Sequence, residues 1–173
     1  MGQDKAMLLF SGQTLLDHAI TKLRVVTDHV FVLCGPTRRY EDCGVPTIED
    51  AICGAGPAGG LYSALAHAQA CGHSQAVWLA VDLPLVPASV LTSLVETLRD
   101  ADAARARTPT GPEPLCAAFR TTPCLGAVRG SVLAGRLKLT DALHGLSLRE
   151  VEAATALFAN INSPAEYDRL SRR

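Results

Sequence analysis

The chain has 173 residues, 16 Lys and Arg against 17 Asp and Glu, and a formal net charge of −1. With 48% hydrophobic and 19% charged residues it has enough apolar material for one sizeable core, and intrinsic disorder is excluded. The balanced charge also argues against a nucleic-acid binder, which needs a basic face to neutralise phosphates.

No apolar run approaches the roughly 18–20 residues that span a bilayer, and no secretory leader precedes the first charges, so neither a membrane nor export is expected. Six cysteines (34, 43, 53, 71, 116 and 124) are never closer than eight positions apart. That spacing fits no zinc ribbon or CxxC pair, and it predicts reduced thiols in a cytoplasmic protein.

In chain order, Thr14 is placed to cap a helix whose face is Leu15, Leu16, Ala19, Ile20 and Leu23, with Asp17 closing a capping box. His29–Cys34 reads as a buried strand stopped by Gly35-Pro36, followed by a short polar helix over 38–42 and a second strand over 45–49. A glycine-rich stretch over 50–60 runs into a helix striped by Leu61, Ala64, Leu65 and Ala68. Ala76–Val81 is apolar at every position, the pattern of a strand covered on both faces. Pro87 opens a helix with Val90, Leu91, Leu94, Val95 and Leu98 inward.

Further on, Leu115–Phe119 predicts a strand, 122–145 a helix broken at Gly130 and Gly135, and Phe158–Ile161 a short extended piece. Ser163 and Glu166 form a capping box for a last helix. Strands alternating with helices predict one α/β domain with a mostly parallel sheet.

Ligands of open α/β sheets bind beyond the carboxyl ends of the strands. Asp82 directly follows the most apolar strand, where a carboxylate can hold Mg²⁺ against a phosphate; the alternative is a turn or capping aspartate. Gly54–Gly60 enters a helix whose first N–H groups and positive dipole end suit an anion, though many plain loops are glycine-rich. It fits neither GxGxxG nor the P-loop. Lys5 is either a point charge for a triphosphate or an ordinary solvated lysine. Asn160 and Asn162 flank Ile161, so in an extended segment both face one way, toward a ligand or simply into the turn before Ser163. The histidines at 18, 29, 67, 73 and 144 show no ligand spacing and read as structural or surface groups.

In order along the chain stand Met1-Gly2-Gln3-Asp4-Lys5-Ala6, Ile48-Glu49-Asp50, Gly56-Pro57-Ala58-Gly59-Gly60, Val81-Asp82-Leu83-Pro84 and Asn160-Ile161-Asn162-Ser163-Pro164-Ala165-Glu166. This series resembles the molybdenum cofactor guanylyltransferase family over essentially the whole chain. The resemblance implies a three-layer, Rossmann-like nucleotidyltransferase fold. It implies a Mg²⁺-dependent transfer of GMP from GTP to the terminal phosphate of molybdopterin or its molybdenum-loaded form, with release of pyrophosphate.

It assigns Lys5 and Asp82 to catalysis. Gly2, Lys5, Asp50, Gly56, Pro57, Gly59, Gly60 and Asp82 go to the nucleotide, with 56–60 as the loop that closes over it. The metal falls to Asp82, with Asn162 as a second candidate ligand, and the acceptor to Asn160 and Asn162. The implied partners are the two small-molecule substrates, with transient contact to other proteins of cofactor biosynthesis.

Two departures from the family pattern stand out. Leu33-Cys34-Gly35-Pro36 replaces a polar, asparagine-containing run. The family also begins with an apolar strand and a glycine-rich loop, of which Met1-Gly2 matches only the end, so 1–173 is expected to be one domain shortened at its start. The same resemblance leaves two alternatives: a CTP-dependent cytidylyltransferase, disfavoured by asparagines where those relatives carry aspartates, and a degenerate nucleotide-binding module without catalysis.

Overall fold

The structure is a computed structural model and describes residues 4–52 and 54–160. Its body is three-layered. The largest sheet has the order β5-β7-β6-β8, from β5 (Gln75–Leu79), β6 (Ala103–Thr108), β7 (Gly111–Arg120) and β8 (Leu148–Glu152). β5 and β6 each pair antiparallel with β7, and β6 pairs parallel with β8. β5, β6 and β8 therefore point the same way, and β7 alone opposes them. A separate parallel pair joins β3 (Val32–Leu33) to β4 (Thr47–Ile48), and β1 (Leu9–Phe10) with β2 (Gln13–Thr14) makes a small hairpin.

Period-two alternation distributes the side chains between the layers. Val77, Leu79, Ala104, Ala106, Cys116 and Ala118 pack with α3 (Ala88–Thr97), whose Leu91 and Leu94 are fully buried. Ala76, Trp78, Ala103, Ala117 and Phe119 pack on the opposite face, under α2 (Gly56–Ala70), α4 (Thr121–Leu133) and α5 (Leu139–Ala142). After Gln75, β5 is apolar at every position, as helices cover it on both sides.

Thr14 begins α1 (Leu15–Leu23) as its spacing predicts. Its hydroxyl accepts from the Asp17 amide at 3.0 Å while Asp17 Oδ2 accepts from the Thr14 amide at 3.3 Å. Pro87 stands one residue earlier than expected, as the N-cap of α3.

Five elements differ from the sequence expectation. Residues 38–42 form turns and an extended stretch rather than a helix, with Tyr40 at φ +64°. The strand over 29–34 shortens to Val32–Leu33. Phe158, the expected first residue of an extended piece, instead ends a 3₁₀ turn over Thr155–Phe158. β6 and β8 were not expected at all. β6 reads Ala-Ala-Arg-Ala-Arg-Thr, whose alanines carry helix propensity, and it becomes a strand because a tight hairpin at Pro109-Thr110 folds β7 back on it. The last helix, from Ser163, lies outside the described residues. No helix among the described residues is long and apolar enough to cross a membrane.

Candidate active site

The 3₁₀ turn Lys5–Met7 is capped by Asp4, whose Oδ1 accepts from the Ala6 amide at 3.1 Å. Ala6 is buried with Leu16, Ile20 and Val30, and Val81 packs against that cluster. Val81 also touches a second cluster, Phe10 with Leu15, which Ala159 joins from the far end of the chain. One residue, Val81, thus connects the neighbours of Lys5, Asp82 and Asn160, three candidates separated by up to 155 positions in sequence. Lys5 and Asp82 are half-buried and Asn160 is exposed. Gly2 and Asn162 lie outside the described residues.

Asp82 occupies the turn after β5, and among the described residues its carboxylate has no hydrogen-bond or ion-pair partner. Lys22, near the end of α1, donates its ammonium to the carbonyls of Leu83, at 3.5 Å, and of Pro84. Burial lowers the pKa of this lysine. The consequence is a turn clamped through its backbone while the Asp82 carboxylate is left for something else. Sequence reasoning missed Lys22, because a lysine in the last turn of an amphipathic helix carries no signal of a contact 61 positions away.

The second half of the site is built on β4 and α2. The Asp50 amide donates to the Gly35 carbonyl at 2.8 Å, joining the loop after β4 to the end of β3. Asp50 Oδ1 is shielded from solvent and has no partner among the described residues. A buried carboxylate oxygen left unsatisfied is costly and marks a position awaiting a donor. The next residue is fixed through Ser63, whose hydroxyl accepts from the Ala51 amide and donates to the Gly59 carbonyl, each at 2.9 Å.

Gly56 to Gly60 lie in the first turns of α2 rather than in a loop. Their glycines do different work. Gly56, at φ +55°, takes the chain into the helix through a conformation costly to other residues. A Cβ on Gly59 would sit 2.5 Å from Ala55 Cβ, and one on Gly60 would sit 3.2 Å from both Leu33 Cδ2 and the Trp78 ring. The latter two therefore serve close packing. The helix has Ala55 at its N-cap with no side-chain cap and Pro57 in its first turn, which leaves its positive end free for an anion.

Beside Asp4, the Tyr40 hydroxyl donates to Oδ2 at 2.6 Å and Arg39 reaches the same oxygen at 3.3 Å. Arg39 also donates to the Cys34 carbonyl at 3.0 Å. Burial, followed by the Asp4 carboxylate, pushes the Tyr40 phenol up to about 12. This trio ties the Lys5 turn to the end of β3 where the family's polar run is replaced, and nothing in the local sequence announced it.

A Mg²⁺ site fits this arrangement in one form. No group of three or more His, Cys, Asp or Glu among the described residues could hold a metal, so an all-protein cage is excluded there. Mg²⁺ bound to phosphates needs only one or two carboxylates from the protein, and the unpartnered Asp82 supplies one.

The layering, with its acidic turn at the strand ends and the open helix start of α2, is that of nucleotidyltransferases on a Rossmann-like sheet. Residues 1–146 match the MobA-like NTP transferase domain, and the chain belongs to that family. It is 26% identical over 98% of its length to a probable molybdenum cofactor guanylyltransferase of Carboxydothermus hydrogenoformans, covering 88% of that protein. It is 29% identical over its whole length to one of Opitutus terrae, covering 89%. The crystal structure of molybdopterin-guanine dinucleotide biosynthesis protein A from Archaeoglobus fulgidus superposes with a TM-score of 0.74. That match is 22% identical and covers 99% of this chain and 90% of the other.

Proposed function

We propose that the chain transfers GMP from GTP to the terminal phosphate of molybdopterin or of its molybdenum-loaded form. The observation that supports this reading is that Val81, next to Asp82, packs into the cluster of Ala6 and into that of Ala159, the chain neighbours of Lys5 and Asn160, in a chain whose relatives bear the guanylyltransferase name.

In the reaction an oxygen of the acceptor phosphate attacks the α-phosphorus of GTP. A new P–O bond forms, the bond to the β-phosphate oxygen breaks, and pyrophosphate leaves. The nucleophile is already ionised, so no general base is required, which suits a site without histidine. The main obstacle is bringing two anions together in line, and it is met by positioning and charge neutralisation. Lys5 neutralises the triphosphate and stabilises the departing pyrophosphate. Asp82, held by the turn that Lys22 clamps, and Asn162 offer oxygens to the metal. Mg²⁺, when bound, acts as Lewis acid and template on the phosphates. Asp50 accepts from the guanosine half, the start of α2 lies over the nucleotide, and Asn160 with Asn162 orients the acceptor.

Pyrophosphate release from GTP or CTP, measured with molybdopterin and Mg²⁺, tests the reading. GTP is expected to turn over well ahead of CTP, and Asp82→Asn to abolish turnover while leaving the circular dichroism spectrum and melting profile unchanged. Wild-type turnover in Asp82→Asn would overturn the metal assignment, and a preference for CTP would overturn the choice of base.

A further inference from the structure

The face of the four-stranded sheet that carries α2, α4 and α5 is not covered along its whole length. Ala103 of β6 and Leu148 of β8 lie under α4 and α5, packed with Cys124, Val128 and Leu143. Period-two alternation puts Arg105 and Arg107 on this same face, and Glu150 and Glu152 with them. Exposure grows toward the strand ends, from 16% for the Arg105 side chain to 42% for that of Arg107. The helical cover therefore stops after the Ala103–Leu148 row, and the next two rows form a charged shelf.

The charges of this shelf are fixed in an unusual way. Arg107 stands opposite Glu152 in the parallel ladder, yet its Nη1 donates to Glu150 at 3.0 Å. Glu150 is held in turn by Arg105. Among the described residues the rest of the Arg107 guanidinium and the whole Glu152 carboxylate have no hydrogen-bond or ion-pair partner. A guanidinium fixed along one edge thus lies beside a free carboxylate at the spacing of neighbouring strands, about 5 Å.

The shelf also lies at the end of the sheet where Asp82 stands. Arg105 shares a row with Ala117 and Trp78. Arg107, two residues on, comes level with Ala80 at two strand spacings, about 10 Å, and Asp82 follows just past Ala80. From Glu152 the chain returns through the 3₁₀ turn Thr155–Phe158 to Ala159, which packs on the Phe10–Leu15 cluster that Val81 joins, and so to Asn160.

We infer that Arg107 and Glu152 form the subsite for the pterin ring of the acceptor, an assignment that rests on the transferase reading. The pyrimidine edge of a 2-amino-4-oxopteridine carries two adjacent donors, the 2-amino group and N3–H, next to an acceptor oxygen. A carboxylate accepts from the donor pair, and a guanidinium edge donates to the oxygen. The ring lies on the shelf, and the phosphate at the far end of the acceptor extends toward Asp82 and Asn160.

The test titrates the full chain at pH 7 into dilute pterin (2-amino-4-oxopteridine) or lumazine (its 2,4-dioxo counterpart), without nucleotide, and follows pteridine fluorescence. Pterin is expected to bind about tenfold tighter than lumazine, which turns a second oxygen rather than an amino group toward Glu152. Glu152→Gln should erase that preference, because its amide can donate to the extra oxygen. Arg107→Gln should weaken both ligands about tenfold, and Arg107→Lys should recover only part of the loss. Circular dichroism checks the fold of each variant, and calorimetry with GTP and Mg²⁺ should give the same affinity in all of them. Equal binding of pterin and lumazine by the unaltered chain, no saturable pterin binding, or pterin binding untouched by both substitutions would overturn the subsite. Intact pterin discrimination in a chain that fails to turn over GTP would sustain the subsite and overturn the transferase reading alone.

Discussion

At the scale of single residues, charge does the chemistry and backbone does the holding. In the proposed reaction Lys5 is the compact cation facing the triphosphate, and its removal would leave that charge without a partner. By comparison with the loss of one charge-stabilising donor in other enzymes, Lys5→Ala is expected to lower kcat about 10²–10³-fold. Lys5→Arg would recover only part of this, because a planar fork does not reproduce a point charge. Steady-state pyrophosphate release checks both. The thiols behave oppositely. Burial pushes Cys116 and Cys124 each up to about 12, so neither is a nucleophile at neutral pH. Iodoacetamide at pH 8 should modify exposed Cys71 while sparing Cys116 and Cys124, as read by peptide mass spectrometry.

At the scale of elements, α2 shows how a motif that looks like a ligand loop is also a packing device. Gly59→Ala sets a helix-propensity gain of up to ~1 kcal/mol against a contact of 2.5 Å between two methyl carbons on backbone that cannot swing away. Overpacking of that kind costs about 1–3 kcal/mol, so the clash prevails and urea unfolding should show a net loss of stability. The β6–β8 ladder carries a different device. Glu150 accepts from Arg105 at 2.6 and 2.9 Å and from Arg107 at 3.0 Å, and the Arg105 hydrogen bond holds its pKa below the usual glutamate value. A carboxyl depressed in the folded state contributes stability above its unfolded value, and that contribution disappears as pH falls through the folded one. The melting temperature of Glu150→Gln should therefore lie below wild type at pH 7 and converge on it below about pH 4.

Much of this level was legible in the sequence. The Thr14–Asp17 capping box, the apolar run of β5 after Gln75 and the stripe of α3 rest on local rules that the tertiary structure obeys. β6 and β8 were not legible, because their state is decided by pairing rather than propensity: Arg105 and Arg107 have meaning only once Glu150 lies beside them. The same holds for the site. Asp82 could be picked out by position after a strand and Asp50 only through the family resemblance, whereas Lys22, Arg39 and Tyr40 act through carbonyls and carboxylates that only folding brings near.

At the scale of the whole molecule, helices cover both faces of the four-stranded sheet, in which β7 is the reversed strand, and the candidate site residues flank clusters that Val81 joins from the beginning, middle and end of the chain. The four-stranded sheet and the β3–β4 pair share no ladder among the described residues. Side chains pack across the gap between them: Val32 and Val81 meet one shared cluster, and Gly60 of α2 lets Leu33 of one sheet and Trp78 of the other approach the same point. Side-chain packing across such a seam can yield without breaking a backbone bond on either side. The seam is therefore where the molecule would part first under load: a pulling force applied between Thr47 and Thr108 would separate two intact fragments before either sheet unravelled.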